Sequence, residues 1–341
     1  MREVLQLRVV EVIEETDDAR TIVLATDGAV VTYRPGQFLT FRVPDSGSGP
    51  AARCYSLSSS PAVHGDQLAV TVKRVPGGRG SAWICDEVGP GHLIDSLAPA
   101  GLFTPRDLDA DLLLVAAGSG ITPVMSILES VLHAGHGQVA LLYANRDERS
   151  VIFADRLASL EREYADRLVV LHWLESLQGL PGIAALAPRL AGYVDRETFV
   201  CGPAPFMAAV RDALAAVGTL SSRVHVEEFV SLAGDPFATP TEVTIHDDGP
   251  SPTVEVTLDG SVQTVRWPRG QVLLDALLVA GLPAPFSCRE GACSACACVV
   301  LEGEVTLDRN DVLDTADLAD GIVLACQARP VSDRVRISYE G

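Results

Sequence analysis

The chain has 341 residues, 48% of them hydrophobic, and a formal net charge of −19. That length exceeds one ordinary core and asks for two or three domains, while the acidic balance argues against nucleic acid or an anionic membrane as partner. The longest apolar stretch, Leu112 to Leu128, is broken by Gly118, Gly120 and Pro123, so no membrane span is expected, and the start of the chain, Met1 to Val10, alternates like a strand rather than reading as a signal peptide.

Over residues 1–105, short alternating strands separated by Gly and Pro turns predict a small antiparallel β-barrel, with Val30-Val31-Thr32-Tyr33 and Gln37 to Val43 among its strands. Its chemistry-bearing piece is Arg53-Cys54-Tyr55-Ser56-Leu57. The strand Leu68 to Arg74 and the loop Pro76-Gly77-Gly78-Arg79-Gly80-Ser81 follow it. Strand alternation puts Arg53 and Tyr55 on one face, where an arginine, an aromatic ring and a nearby hydroxyl could clamp a phosphate, cover a planar ring and bond its heteroatoms. An edge strand with one charged and one aromatic residue is the plainer reading of the same residues.

Residues 106–231 alternate apolar strands with helical stretches: Leu112 to Ala116, Gln138 to Tyr143, Leu168 to Leu171 and Thr198 to Val200. That rhythm predicts an α/β domain with an open parallel sheet. The first strand runs into Gly118-Ser119-Gly120-Ile121-Thr122-Pro123, which places Thr122 as N-cap and Pro123 as the first helical residue. The turn departs from G-x-G-x-x-G because position 123 is proline. After the second strand, Arg146, Arg149 and Ser150 could bind a 2′-phosphate, whereas Asp147 or Glu148 could bond a ribose 2′-hydroxyl.

A Pro- and Gly-containing linker, 232–241, precedes a third domain, 242–341. There the sequence predicts a hairpin from Glu242 to Trp267 around Asp259-Gly260, then a helix from Gln271 to Ala280 ended by Gly281. Cys288, Cys293, Cys296 and the distant Cys326 follow the C-x4-C-x2-C...C spacing of a plant-type 2Fe-2S centre. Small residues between the cysteines let backbone N–H groups approach the sulfurs. A zinc site usually presents two C-x2-C-like pairs and only one exists here. Cys298, two residues past the third ligand in an apolar run, reads as core. The other cysteines, Cys54, Cys85 and Cys201, are scattered, which fits a reducing cytoplasm. Residues 241–341 hold 16 acidic and 7 basic side chains, which points to an electron acceptor with a basic docking patch.

Arg53-x-Tyr55-Ser56-Leu57 with the Gly80-Ser81 loop resembles the flavin site of the ferredoxin-NADP reductase family, as does Gly118-x-Gly120-x-Thr122-Pro123 taken with Cys201-Gly202-Pro203 and Met207. The third domain resembles a β-grasp ferredoxin, and the order barrel, nucleotide domain, ferredoxin is that of three-domain oxygenase reductases. Ser294 stands where related loops usually carry glycine. The resemblance implies that Arg53 binds the flavin phosphates, Tyr55 stacks on the ring and Ser56 bonds near N5, with Cys54 in the same strand. Thr71, Val72, Lys73 and Arg74 would line the ribityl-adenosine side, and Arg79, Gly80 and Ser81 would face the pyrophosphate. Gly118 would belong to the nucleotide turn and Thr122 would lie between flavin and nicotinamide. Cys201, Gly202, Pro203 and Met207 would sit beside the nicotinamide, Cys201 without acting as a nucleophile. Glu227, Glu228 and Phe229 would meet the flavin edge.

The stretches Tyr143 to Arg146, Leu171 to Ser176 and Cys296 to Cys298 liken the chain to steroid 9-alpha-hydroxylase reductases, with phenylacetyl-CoA oxygenase reductases as near relatives. The implied cofactors are FAD, with FMN as the alternative, and a 2Fe-2S cluster. The donor is NADH, with NADPH and Arg146 as its 2′-phosphate ligand the alternative. Single electrons would pass to a terminal oxygenase, by resemblance a Rieske non-haem iron enzyme acting on a steroid or another ring compound. The seven histidines include no clustered 2-His-1-carboxylate set, so oxygen chemistry falls to that partner. Two other readings compete: an NADPH-dependent reductase of a di-iron monooxygenase, and, in another class, a non-catalytic protein whose cysteine loop holds zinc. Oligomeric state has no signature in the sequence.

Overall fold

The computed structural model describes residues 4–44, 51–229, 231–232, 234–237, 251–313 and 315–340. In the N-terminal part β1 (Leu5–Thr16), β2 (Ala19–Ala25), β3 (Phe38–Val43), β4 (Ala51–Ser56), β5 (Gln67–Lys73) and β6 (Leu93–Ala100) form one sheet in the order β4-β3-β6-β1-β2-β5. An antiparallel bridge between Leu57 and Val70, with Ser58 N–H donating to Ala69 O at 2.8 Å, ties the two edge strands together and closes the sheet into a barrel. Alternate residues of these strands, Leu7, Val9, Ile22, Leu24, Leu39, Phe41, Leu68, Val70 and Val72, fill the interior. Helix α1 (Arg79–Glu87) adds Ile84 to that core.

Residues 30–33 are irregular rather than a strand, and Val30 is 91% exposed. After β2 the backbone turns through left-handed Asp27 and Gly28, and β1, β5 and β6 already occupy the neighbouring ladders. Residue alternation alone cannot supply a partner.

Next come β7 (Leu112–Ala117), α2 (Ile121–Ala134), β8 (Val139–Asn145), α3 (Ala154–Glu163), β9 (Leu168–Leu174), α4 (Glu175–Gln178), α5 (Ile183–Leu190), β10 (Glu197–Cys201), α6 (Ala204–Ala216) and β11 (Val224–Glu227). The five strands pair in parallel in the order β11-β10-β7-β8-β9. Every residue of β7 and β8 is buried because helices cover both faces, with Leu112 and Leu114 on the α2 side and Leu113 and Val115 on the α6 side. Burying each such side chain contributes roughly 1.5–3 kcal/mol. The chain leaves β7 in one direction for β8 and returns to its other side as β10, so the switch in strand order lies between β7 and β10. Ligands of open parallel sheets bind outside the carboxyl ends of the strands at such a point.

Helix α2 is also what fixes this sheet to the barrel. Ser126 Oγ donates to Ser59 O at 2.5 Å, Ser60 and Ser130 hydroxyls meet at 2.7 Å, and His64 Nδ1 of the β4–β5 connection lies 3.8 Å from the buried Glu129 carboxylate. Barrel and parallel sheet accordingly form one compact unit, Leu5–Val43 with Arg53–Phe229, and the C-terminal residues belong to a second.

In the second unit β12 (Thr253–Leu258), β13 (Ser261–Arg266), α7 (Leu273–Val279), β14 (Ala297–Glu302), β15 (Val305–Leu307), α8 (Thr315–Ala319), β16 (Ile322–Leu324), β17 (Ala328–Pro330) and β18 (Arg334–Ser338) follow in order. The main sheet runs β13-β12-β18-β14-β16, with β15 and β17 paired separately. The β12–β13 hairpin turns at Asp259 and Gly260, both at positive φ (50° and 71°), as a type I′ turn requires. Gly281, at φ 82°, ends the region of α7 as expected. The first part of the expected hairpin, 242–250, and half of the linker lie outside the described residues.

Candidate functional site

Three strand ends and one helix start converge in the first unit. On β4, a Cβ placed on Gly80 would lie 2.7 Å from the Tyr55 hydroxyl and 2.8 Å from Arg53 Cγ. Only glycine lets the first turn of α1 come this close to both side chains, which therefore share a face as alternation predicts. No side chain caps the α1 N-terminus. Burial raises the Tyr55 phenol above its ordinary range, so the ring is neutral, and Phe41 packs against it at 5.5 Å. Ser56 is 5% exposed, and Cys54 is half-buried with its sulfur 3.6 Å from the Thr40 hydroxyl.

The neighbouring strand is used unevenly. Thr71 sits in a buried chain of hydroxyls, 2.7 Å from Thr21 and 2.8 Å from Ser58, and Val72 is in the barrel core. Arg74 pairs with Asp86 of α1, and the Ser81 hydroxyl closes the loop by accepting from Val75 N–H at 3.1 Å. These four side chains are thus engaged within the fold, and Lys73 is the member of this strand that turns toward the nucleotide layer. Its Nζ lies 4.0 Å from a Cβ built on Gly118.

At the end of β7 the backbone passes Gly118 at φ 52° and winds through a 3-10 turn, Gly118–Gly120, directly into α2. The helix consequently begins two residues earlier than the sequence suggests. Gly120 takes the N-cap place, Thr122 and Pro123 are already helical, and the buried Thr122 hydroxyl donates back to Ser119 O at 3.1 Å. A Cβ on Gly120 would overlap the Cys201 carbonyl and lie 2.7 Å from Gly202 N. Gly202 in turn has room only for hydrogen, since a Cβ would meet Ala117 Cβ and Phe206 at 3.0 Å. The turn after β7 and the Cys201-Gly202-Pro203 turn after β10 are therefore in contact across the switch point. Met207 packs in the core under α6 rather than on this rim.

Cys201 is fully buried, and burial together with the nearby Glu227 holds its thiol well above its usual range. A neutral thiol is a poor nucleophile. Glu227 is opposite Cys201 in the parallel β10–β11 register, and burial lifts its carboxyl to about 8. Of the residues expected at the flavin edge from sequence, Glu228 and Phe229 are exposed, whereas Glu227 is half-buried. Register explains its place: a four-residue strand laid beside Thr198–Cys201 puts Glu227 at the cysteine.

At the end of β8 the Asn145 amide is buried beside the Tyr143 hydroxyl. Arg146 binds Asp18 at 2.9 Å. Asp147 caps a short turn, accepting from Ser150 N–H at 3.0 Å while Asp147 N–H donates to Ser150 Oγ at 3.1 Å. Asp147 and Ser150 are thus committed to each other, and Glu148 and Arg149 remain exposed.

The second unit gathers Cys288, Cys293, Cys296 and Cys326. Cys288 N–H points to Cys293 Sγ at 3.2 Å, Glu290 and Ala292 N–H to Cys288 Sγ at 3.3 and 3.4 Å, and Cys326 N–H to Cys296 Sγ at 3.4 Å. The Gln327 side chain reaches Cys326 Sγ at 3.6 Å and also donates to Arg289 O at 3.1 Å, a tie with no signature in the sequence. The loop curls this tightly because Arg289, Gly291 and Ser294 all have positive φ (61°, 76° and 51°). Serine therefore occupies a left-handed position at 294, where glycine would be unstrained. Hydrogen bonds from the Cys293 and Cys326 thiols and from backbone N–H groups hold Cys288 far below the ordinary thiol range. Four convergent soft ligands with N–H donors on every sulfur fit an iron-sulfur cluster. Cys298 is buried, and that burial raises its thiol above the ordinary range, as expected of a core residue.

Residues 256–331 match the family described as 2Fe-2S iron-sulfur cluster binding domain, and residues 114–212 the family described as oxidoreductase NAD-binding domain. The chain is 56% identical over 346 residues to the ferredoxin reductase component of 3-ketosteroid-9-alpha-monooxygenase from Mycobacterium tuberculosis (strain H37Rv), covering 99% of this chain and 96% of that one. It is 31% identical over 363 residues to one of the subunits of the 1,2-phenylacetyl-CoA epoxidase of Escherichia coli (strain K12), covering 98% and 97%. Phthalate dioxygenase reductase, a modular structure for electron transfer from pyridine nucleotides to 2Fe-2S, superposes with a TM-score of 0.58 at 24% identity over 98% of each chain.

Proposed function

We infer the function from one premise: the chain belongs to the oxygenase-reductase family that includes the ferredoxin reductase component of 3-ketosteroid-9-alpha-monooxygenase. It is an NAD(P)H-dependent oxidoreductase built from flavin-binding, NAD-binding and 2Fe-2S domains, and it is the reductase component of an oxygenase system. The observation that carries this reading is the four-cysteine cradle with an N–H donor on each sulfur, because such a centre carries electrons one at a time. When bound, FAD converts the two-electron chemistry of the nicotinamide into the one-electron chemistry of the cluster.

The chain's own residues divide the work. Arg53 and the N-terminal turn of α1 would hold the flavin phosphates, Tyr55 would cover the ring, and Ser56 would bond its reactive edge. Gly118, Gly120 and Thr122 would bring main-chain donors to the nucleotide. Cys201 and Gly202 would form the wall against which the nicotinamide lies, with the thiol kept neutral by burial. Cys288, Cys293, Cys296 and Cys326 would ligate the cluster. Domain boundaries at 105/106 and across 232–241 belong to the same proposal.

The finer identity is also a proposal. The high identity to the steroid monooxygenase components supports a terminal oxygenase acting on a steroid, and we propose further that this partner is of the Rieske type and that NADH is the donor. Zinc in the cysteine loop is disfavoured by the match of residues 256–331 to a 2Fe-2S domain. Among the described residues no cysteine is in a disulfide, which fits a cytoplasmic setting, and no helix is long and apolar enough to cross a membrane.

The test is an anaerobic visible titration with NADH and, separately, NADPH, followed by addition of candidate oxygenases. Flavin and iron-sulfur bands that bleach with NADH, then recover only with the steroid-type oxygenase, are expected. Recovery with a di-iron oxygenase alone would reassign the partner.

A further inference from the structure

Gln327 joins the two segments that supply the cluster cysteines. Its place is set from the main chain: its N–H donates to Leu324 O at 2.8 Å and its carbonyl accepts from Asp308 N–H at 2.9 Å. The side chain then crosses the cysteine loop, where a Cβ built on Gly291 would lie 3.1 Å from Gln327 Cγ. Its Nε2 lies 3.1 Å from Arg289 O and 3.6 Å from Cys326 Sγ. A carbonyl and a ligating sulfur are both acceptors, so the amide nitrogen, with its two hydrogens, is the end that faces them.

The sulfurs of Cys288, Cys293 and Cys296 receive main-chain N–H groups. Such donors come with the fold and answer to no choice of side chain. Cys326 Sγ receives a side-chain donor, which a substitution can withdraw. Donors of this kind bear on the reduction potential of an iron-sulfur centre. The reduced centre carries one more negative charge, shared with its cysteine sulfurs, and an N–H dipole aimed at sulfur stabilises that state more than the oxidised one.

We propose that Gln327 is a positioning residue for the iron-sulfur centre, which holds the Arg289 turn of the cysteine loop to the Cys326 segment and raises the reduction potential through its hydrogen bond to Cys326 Sγ. This rests on the reading of the four cysteines as 2Fe-2S ligands. A higher potential at the centre draws onto it the electron that reduced flavin gives up, and holds it where the oxygenase collects it. Gln327→Met keeps an unbranched chain of similar length and removes both N–H donors. Gln327→Glu keeps the shape and, when ionised, donates nothing.

Flavin- and cluster-loaded wild type, Q327M and Q327E would be titrated by anaerobic spectroelectrochemistry. Protein carrying ¹⁵N in its glutamine side-chain amides would be reduced with dithionite and read by pulsed electron paramagnetic resonance. Wild type should show a ¹⁵N coupling to the reduced centre that Q327M lacks. In Q327M the one-electron reduction equilibrium of the centre should shift about tenfold toward the oxidised form, ~59 mV lower in potential, on the scale of one hydrogen bond to a charged group, while the flavin potential stays in place. Q327E should fall at least as far. An unmoved potential in Q327M with its iron-sulfur bands intact, no ¹⁵N coupling in wild type, or a coupling that persists in Q327M would each overturn the proposal. If Q327M assembles no cluster, the wild-type coupling and the Q327E potential decide in the same way. Wild type without iron-sulfur bands would overturn the cluster reading with it, whereas an intact cluster with an unmoved potential removes the role of Gln327 alone.

Discussion

Gly120→Ala is the sharpest perturbation of the nucleotide turn. Gly120 has ordinary right-handed backbone angles, φ −61° and ψ −10°, so alanine is conformationally acceptable and would by itself stabilise by about 0.4–1 kcal/mol. Opposing this, the added methyl would lie 2.7 Å from Gly202 N and overlap the Cys201 carbonyl. Ordinary contacts lie at about 3.5 Å, so one backbone must retreat by about 1 Å. Neither side can yield by rotating a side chain, because both obstacles are main chain and Gly202 is itself wedged against Ala117 and Phe206. Overpacking of this kind costs typically about 1–3 kcal/mol, and with no flexible neighbour the upper part of that range applies. A net loss near 2 kcal/mol corresponds to a fall in Tm of about 4–8 °C. Moving the two turns apart by about 1 Å at the point where the nicotinamide is expected should slow flavin reduction by about 100-fold. Stopped-flow bleaching by NADH measures this, with the cluster spectrum as a control for the second unit. The paired variant Gly118→Ala meets strain from φ 52° but open space, with Lys73 Nζ 4.0 Å away, and should lose about 1 kcal/mol with a smaller kinetic effect. Equal rates and melting points for G120A and wild type would refute the argument that this close approach holds the site together.

Cys326→Ala should abolish the iron-sulfur bands, whereas Cys298→Ala should keep them and lower stability by only about 1 kcal/mol, as befits a buried core thiol; loss of the bands in C298A would move it into the ligand set. Ser294→Gly, which relieves a left-handed serine at φ 51°, should stabilise the second unit by about 0.5–1 kcal/mol in denaturant melts, and a loss instead would mean that the serine side chain supports the loop. Burial raises the Glu227 carboxyl to about 8 from an unfolded value of about 4.3, so the folded state retains a proton that the unfolded state has released between these values. Its contribution to stability is therefore complete below about pH 4, falls as pH rises toward 8 and levels off above, and Glu227→Gln should flatten that slope in melts across this range.

What the sequence made legible follows from what local spacing can encode. The cluster loop, the Arg53-Tyr55 face, the β12–β13 hairpin and the core role of Cys298 each depend on residues within one short segment, where side-chain period and backbone angle decide the outcome. The misses share a different origin. Val30 to Tyr33 alternates as a strand should, yet the β1, β2, β5 and β6 ladders are complete without it. Thr122 is a good N-cap by type, but a turn set by Gly118 and Gly120 starts the helix sooner because Gly120 must reach Cys201, 81 positions away.

The fate of the side chains after β8 lies beyond sequence reading for the same reason. Arg146, Asp147 and Ser150 look like interchangeable candidates while only their own loop is in view. The fold distinguishes them: Asp147 and Ser150 satisfy one another locally, while Arg146 finds its partner in Asp18 on the barrel. Glu227 acquires its raised carboxyl only because parallel pairing brings a four-residue strand beside Cys201. Local spacing thus announces which chemistry the chain carries, and contacts between distant segments decide which side chains of a loop are already engaged within the fold and which protonation state a buried group holds.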